Sequence, residues 1–248
     1  MLLAHCTWPE VEAYLGRSRG MIVPIGSTEQ HGPTGLIGTD HLTAEAIARG
    51  AGDAADALVA PVIAVGMAQH HMAFPGTMTL RPSTLIAVVR DTVLGLAEHG
   101  FRRFLFVNGH GGNVPTVKAA FYEIEAEVRA AHPADPPDLR CQVVNWYEGG
   151  TVAALLRELF GGREGAHATP GEISVTRALL PEIVKDAVPD PAIAPISAFF
   201  GARDFRRRHP DGRMGSDPTL AAPEHGRRII AAAVSDVAGA YRRLMADG

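Results

Sequence analysis

Phe104-Leu-Phe-Val-Asn-Gly-His-Gly-Gly-Asn-Val-Pro-Thr-Val-Lys-Ala-Ala-Phe121 decides how this chain folds. Its first four residues form a short apolar run of strand length. Glycines then mark a tight turn, and Val117, Phe121, Ile124 and Val128 recur on one helical face. A strand that passes through a glycine turn into an amphipathic helix is one unit of a parallel sheet, because the apolar face of the helix needs a sheet to lie on.

The same alternation extends outward in both directions. The runs 21–25, 58–65 and 141–146 read as further buried strands. Helical spacing fills 42–49, closing at Gly50, and 84–99, closing at Gly100, while 227–244 reads as a terminal helix. From Gly161 the chain is richer in glycine and proline, and Pro189, Pro191 and Pro195 mark it as loop. The pattern predicts a single α/β domain over 1–248: three layers, α/β/α, around a mostly parallel, doubly wound sheet.

Composition narrows the partners. A 248-residue chain with 46% hydrophobic and 20% charged residues has the make-up of an ordinary globule, and a net charge of −4 argues against nucleic acid. No apolar run approaches the roughly 20 residues that span a bilayer, so no membrane insertion is expected. Cys6 and Cys141 are too few and too far apart for a disulfide framework, and the N-terminus lacks a signal-peptide pattern, which together predict a cytoplasmic protein with free thiols. The basic run Arg206-Arg-Arg-His209 is expected to be a solvated loop or a subunit contact.

In a doubly wound sheet, reactive groups gather beyond the carboxyl ends of the strands. Glu29 and His31 follow the first strand, His70 and His71 the second, His110 the third, and Trp146 ends the fourth. Residues two apart on an extended segment point the same way, so Glu29 and His31 can clamp one ion while Gln30 looks elsewhere. Carboxylate with imidazole suits zinc, manganese(II) or iron(II). Phosphate is the rival ligand for the glycine turn, but no Gly-Lys-Ser/Thr ending is present and a central histidine fits metal better.

Taken together, Gly26-Ser-Thr-Glu-Gln-His-Gly32, Gly38-Thr-Asp40, Phe74-Pro-Gly-Thr77, Asn108-Gly-His-Gly-Gly-Asn113 and Gly171-Glu172 resemble the creatininase (creatinine amidohydrolase) family, in the same order and over most of the chain. The resemblance implies Glu29, His31, Asp40, His110 and Glu172 as metal ligands, with Asp40 bridging two ions. It implies His167 as the proton carrier, with Glu172 at the metal centre. It places Trp146, His71, Gly111 and Gly112 around the substrate, and it implies a homo-oligomer of the ring-like hexamer kind. Three positions depart from the family pattern. Gly112 stands where creatininase has an acidic ligand, Thr34 where many relatives have histidine, and His41 where a small residue is common. The implied activity is metal-dependent hydrolysis of a C–N bond in a small cyclic or non-peptide amide, with one tight metal site and a second weaker one. Deformylation of a formamide, cleavage of a modified peptide and hydrolysis of a carbocyclic ketone are the alternatives inside the family. A non-catalytic, metal-stabilised assembly protein is the alternative outside it.

Overall fold

Strands β1 (Gly20–Ile25), β2 (Leu58–Val59), β3 (Arg103–Asn108) and β4 (Arg140–Asn145) form one parallel sheet in the order β2-β1-β3-β4. The computed structural model describes residues 1–183 and 185–247. The chain leaves β1 for the β2 edge and then crosses back to build β3 and β4 on the other side. Strand order therefore reverses between β1 and β3, and the crevice at their carboxyl ends is where such sheets place ligands.

Alternate strand residues feed two cores. Ile22, Leu105 and Val107 pack with residues of α2 (Thr39–Ala55), α5 (Gly150–Phe160), α6 (Pro170–Leu179) and α8 (Pro223–Ala246). Met21, Val23, Ile25, Phe104 and Phe106 pack with residues of α1 (Trp8–Leu15), α3 (Pro82–Glu98) and α4 (Val114–Ala131). Every residue of β1 and β3 is buried, as a sheet covered on both faces requires. These are the three layers the sequence predicts.

Four local expectations are corrected. The second strand stops at Val59 instead of running to 65. Pro61 has no N–H, and Pro24 O accepts from Ile63 one residue later than a regular ladder allows. Helix α2 runs through Gly50 to Ala55. A β-carbon at Gly50 would lie 2.6 Å from Val234 of α8, and one at Gly52 would lie 2.4 Å from Val59, so these glycines permit close packing and do not stop the helix. The arginine run is the last turn of α7 (Gly201–Arg208). Arg206 lies over the Phe74 ring at 4.2 Å, Arg207 and Arg208 pair with Asp204, and His209 is fully buried. The region after Gly161 contains α6 as well as loop, and its start, Thr169-Pro-Gly-Glu172, is a capping box with proline at N1.

Two glycines set the geometry of the crevice. A β-carbon at Gly26 would stand 2.4 Å from His41 N, and one at Gly109 only 2.2 Å from Asp40 O. The first turn of α2 therefore rests directly on the ends of β1 and β3, which carries Asp40 into the interior. Gly109→Ala is expected to lower unfolding free energy by about 1–3 kcal/mol through overpacking against backbone. Gly95→Ala, in the exposed face of α3 with nothing within 4 Å, should raise it by about 0.5–1 kcal/mol. Denaturant midpoints of the two variants check both signs.

Candidate metal centre

The glycine turn after β3 is fixed by its two asparagines. Asn113 Nδ2 donates to Gly26 O at 2.9 Å and its Oδ1 accepts from Met67 N. Asn108 Nδ2 donates to His110 O and to Asn145 Oδ1. The ends of β1, β3 and β4 are thus joined through one loop, and His110 leaves it at a defined angle.

His110 Nε2 donates to Met67 O at 3.1 Å, which turns Nδ1 toward Glu29 Oε1 at 3.1 Å and Asp40 Oδ2 at 3.3 Å. His31 uses the same device. Its Nδ1 donates to Glu29 O at 3.0 Å, and Nε2 stands 3.0 Å from Asp40 Oδ1 and 3.8 Å from Glu172 Oε2. A carbonyl that holds the far nitrogen fixes tautomer and ring orientation, the usual outer support of a metal-binding imidazole. Two groups of potential ligands result, Glu29–Asp40–His110 and His31–Asp40–Glu172, each with its atoms within 4.8 Å of one another and both containing Asp40. Glu29 and His31 fall in different groups where Asp40 is a member. They share a group only in the set Glu29–His31–His167.

The donor set fits a cation. Glu29 Oε1 and Asp40 Oδ2 are buried and have no hydrogen-bond partner. A stranded carboxylate oxygen is costly in a dry interior unless positive charge meets it. Burial pushes the Glu29 carboxyl above the usual carboxylate range, and burial likewise lifts Glu172 to about 7. Burial disfavours charge on His31 and His110, yet Asp40 and Glu172 pull His31 up to about 10, and Glu29 and Asp40 raise His110 well above an ordinary histidine. Imidazole and carboxylate together suit zinc, manganese(II) or iron(II) better than calcium.

The remaining candidates divide. His167 joins the cluster: Nε2 donates to Gln30 O at 2.8 Å and Nδ1 lies 3.9 Å from Glu29 Oε1, while burial and the nearby His31 hold the ring neutral. Glu172 uses Oε1 to accept from Thr169 N in the capping box of α6 and turns Oε2 toward His31. His71 places Nε2 3.3 Å from Glu29 Oε1, and His70 stacks between His110 and Phe199 at 5.7 and 5.6 Å. His41 and Thr34 belong to none of the potential ligand groups. Trp146 is 2% exposed and packs in the core, whereas Tyr147 brings its hydroxyl to the turn, 3.4 Å from where a Gly111 β-carbon would be. A β-carbon at Gly112 would meet His110 Nε2 at 2.4 Å and Met67 O at 2.9 Å, so a side chain there would strike the hydrogen bond that orients His110.

The profile described as creatininase, creatinine amidohydrolase, matches residues 4–241. The chain belongs to the creatininase family. It is 29% identical to the creatinine amidohydrolase of Pseudomonas putida, over 98% of this chain and 96% of that protein. It is 32% identical to the mycofactocin precursor peptide peptidase of Mycolicibacterium smegmatis, over 92% and 86%. Among solved structures, a manganese creatininase superposes with a TM-score of 0.84 at 28% identity, covering 98% of each chain. A creatininase variant of zinc–zinc type matches with the same TM-score at 27% identity, again over 98% of each chain. The chain is thus a creatininase-family amidohydrolase with the creatininase fold, and those two solved structures are a manganese and a zinc–zinc form.

Three further residues lie against this candidate site. Ser27 Oγ donates to Glu29 Oε2 at 2.9 Å, Tyr147 faces the glycine turn, and Glu164 lies behind Glu172. Ser27 sits inside the Gly26–Gly32 motif and so was within reach of the sequence. Tyr147 is hidden by the more conspicuous tryptophan beside it, and Glu164 has no local signal. Burial raises the Glu164 carboxyl to about 8, with the Glu172 charge adding to the effect, and its Oε2 has no partner. A carboxyl that keeps its proton in the fold but loses it when unfolded stabilises the protein at low pH. That contribution fades as pH rises from the ordinary carboxylate range, about 4.5, through about 8. Glu164→Gln should remove this contribution, so that the melting temperature of the metal-free protein measured relative to the variant falls over that window; a difference independent of pH would contradict this.

Proposed function

We propose that Glu29, His31, Asp40, His110 and Glu172 hold divalent metal, with Asp40 shared between two positions, and that the site hydrolyses the C–N bond of a small cyclic or otherwise non-peptide amide. The observation that carries the reading is the pair of ligand groups joined at Asp40, with one unpartnered oxygen on Glu29 and another on Asp40 facing the same imidazole. Zinc, manganese(II) and iron(II) all suit the donor set. A divalent ion bound there supplies Lewis acidity toward the amide carbonyl and makes hydroxide accessible near neutral pH.

The chain's own residues supply the rest. His167 is anchored through Nε2–H on Gln30 O and presents Nδ1 to the site as a neutral base. It takes a proton from the attacking water at Nδ1 and returns it to the leaving nitrogen, which departs as an amine. Gly111 and Gly112 let substrate approach the turn without side-chain obstruction. The Tyr147 hydroxyl, kept protonated by burial, stands beside them as a donor to the developing oxyanion. Trp146 packs edge-on against Tyr147 at 5.4 Å and acts on substrate through it. His71 forms part of the wall.

A second reading within the family is cleavage of a modified peptide. It is favoured by the similarity to the mycofactocin precursor peptidases and by Gly112, which withholds the acidic ligand of creatininase itself. The reading treats 1–248 as one catalytic domain of a cytoplasmic homo-oligomer, with the family's hexamer as the expected ring. No helix among the described residues is long and apolar enough to cross a membrane.

His31→Ala and Asp40→Ala should lose bound metal and activity while keeping the fold, since both side chains lie beyond the sheet; full metal occupancy in either variant would overturn the ligand set. His167→Ala should keep metal and lose roughly 10²–10⁴ of its turnover. Calorimetric titration of the stripped protein should show one tight and one weak site, with negligible hydrolysis of creatinine. Two equally tight sites together with rapid creatinine hydrolysis would show that the glycine at 112 is harmless.

A further inference from the structure

Gln30 lies between two proposed ligands in sequence, is only 6% exposed, and is a member of none of the ligand groups. Its amide is nevertheless fully engaged. Oε1 accepts from Gly32 N at 2.9 Å. Nε2 lies 3.0 Å from Gly212 O, 2.9 Å from His71 Nδ1 and 2.9 Å from His167 Nε2. The oxygen and nitrogen ends cannot be exchanged, because Gly32 needs an acceptor and Gly212 O needs a donor.

Nε2 has two hydrogens for three neighbours. Gly212 O, which only accepts, takes one. His167 Nε2 also lies 2.8 Å from Gln30 O, and that carbonyl is satisfied when His167 Nε2 carries the hydrogen and donates to it. The second amide hydrogen then goes to His71 Nδ1, which must be the unprotonated nitrogen of that ring. His71 consequently carries its hydrogen on Nε2, the atom that faces Glu29 Oε1 at 3.3 Å. An imidazole that offers a lone pair at Nδ1 keeps its one hydrogen on Nε2.

We propose that Gln30 is a positioning residue that fixes the His71 tautomer, so that His71 turns an N–H dipole and not a lone pair toward Glu29. The inference rests on the reading of Glu29 as a ligand and adds the device that holds it. A lone pair on His71 Nε2 would repel the carboxylate that already faces His110 Nδ1, whereas an N–H restrains it in place. The same amide docks the returning segment at Gly212, where φ is +91° and a β-carbon would come within 1.9 Å of Gln30 Oε1. Three parts of the chain, 69–71, 165–167 and 212, are therefore set by one side chain.

Neutron diffraction from deuterium-exchanged crystals of the zinc-loaded protein reads the tautomer directly. The expected result is deuterium on His71 Nε2 and none on Nδ1; deuterium on Nδ1 would overturn the proposal. Gln30→Glu keeps the shape of the side chain but can only accept at that end, which forces a hydrogen onto His71 Nδ1. Gln30→Met keeps the bulk and removes the amide. If Gln30 sets the tautomer, zinc competition against a chelator should show Gln30→Glu at least tenfold weaker than Gln30→Met. Equal zinc affinity in the two folded variants would overturn it, since filling space and holding Gly212 would then be its whole role. Should Gln30→Glu fail to fold, the wild-type tautomer still decides. Should the protein bind no zinc, the ligand assignment fails, and the tautomer read in the metal-free crystals decides this proposal separately.

Discussion

Asp40 is a carboxylate placed where the fold has least room for one. Its two oxygens face two different histidines, and it is brought there by the first turn of α2 pressing on the ends of β1 and β3. Everything else at the site answers to that placement. Gly26 and Gly109 are glycines because the helix rests on them, the asparagines of the glycine turn hold the strand ends at matching heights, and each histidine uses its far nitrogen on a carbonyl so that the near one faces Asp40. A buried carboxylate in this position destabilises the fold unless positive charge accompanies it, and the raised proton affinities of His31 and His110 record that demand.

Most of this was legible in the chain because it is local. The strand, turn and helix around Asn108–Asn113 announce themselves by period and glycine, and the proposed ligands sit within short motifs beyond strand ends, where topology alone would send them. What was not legible is distance in sequence. Gly50 looks like a helix stop until Val234 arrives from the far end of the chain, and nothing local says that Trp146 is buried in the core while Tyr147 beside it brings its hydroxyl to the turn. The start of α6 is a different case. Thr169-Pro-Gly-Glu172 carries an ordinary capping signal, but glycine and proline in the surrounding segment read as loop and obscured it.

Gly112 stands in the glycine turn beside the proposed ligand His110. In this chain the space a side chain would take is crossed by the bond from His110 to Met67. The glycine is therefore built into the turn, and replacing it would disturb His110 as well. Relatives that act on creatinine and on a peptide precursor lie at similar identity to this chain, so overall likeness does not choose between them. The immediate surroundings of the turn hold the Tyr147 hydroxyl on one side and the stacked rings of His70 and Phe199 on another.

The capping box of α6 has a consequence for coordination number. One oxygen of Glu172 accepts from the Thr169 N–H that begins the helix and the other is turned toward His31, so in the proposed centre the oxygen without a backbone partner is the one offered to an ion. A carboxylate held to monodentate binding leaves room in the coordination sphere that a flexible glutamate would close. Metal sites that serve only as scaffolds fill that sphere with protein, and those that exchange water and substrate do not. In the proposed centre, a hydrogen bond made for the sake of a helix thus favours one-oxygen binding and an accessible ion.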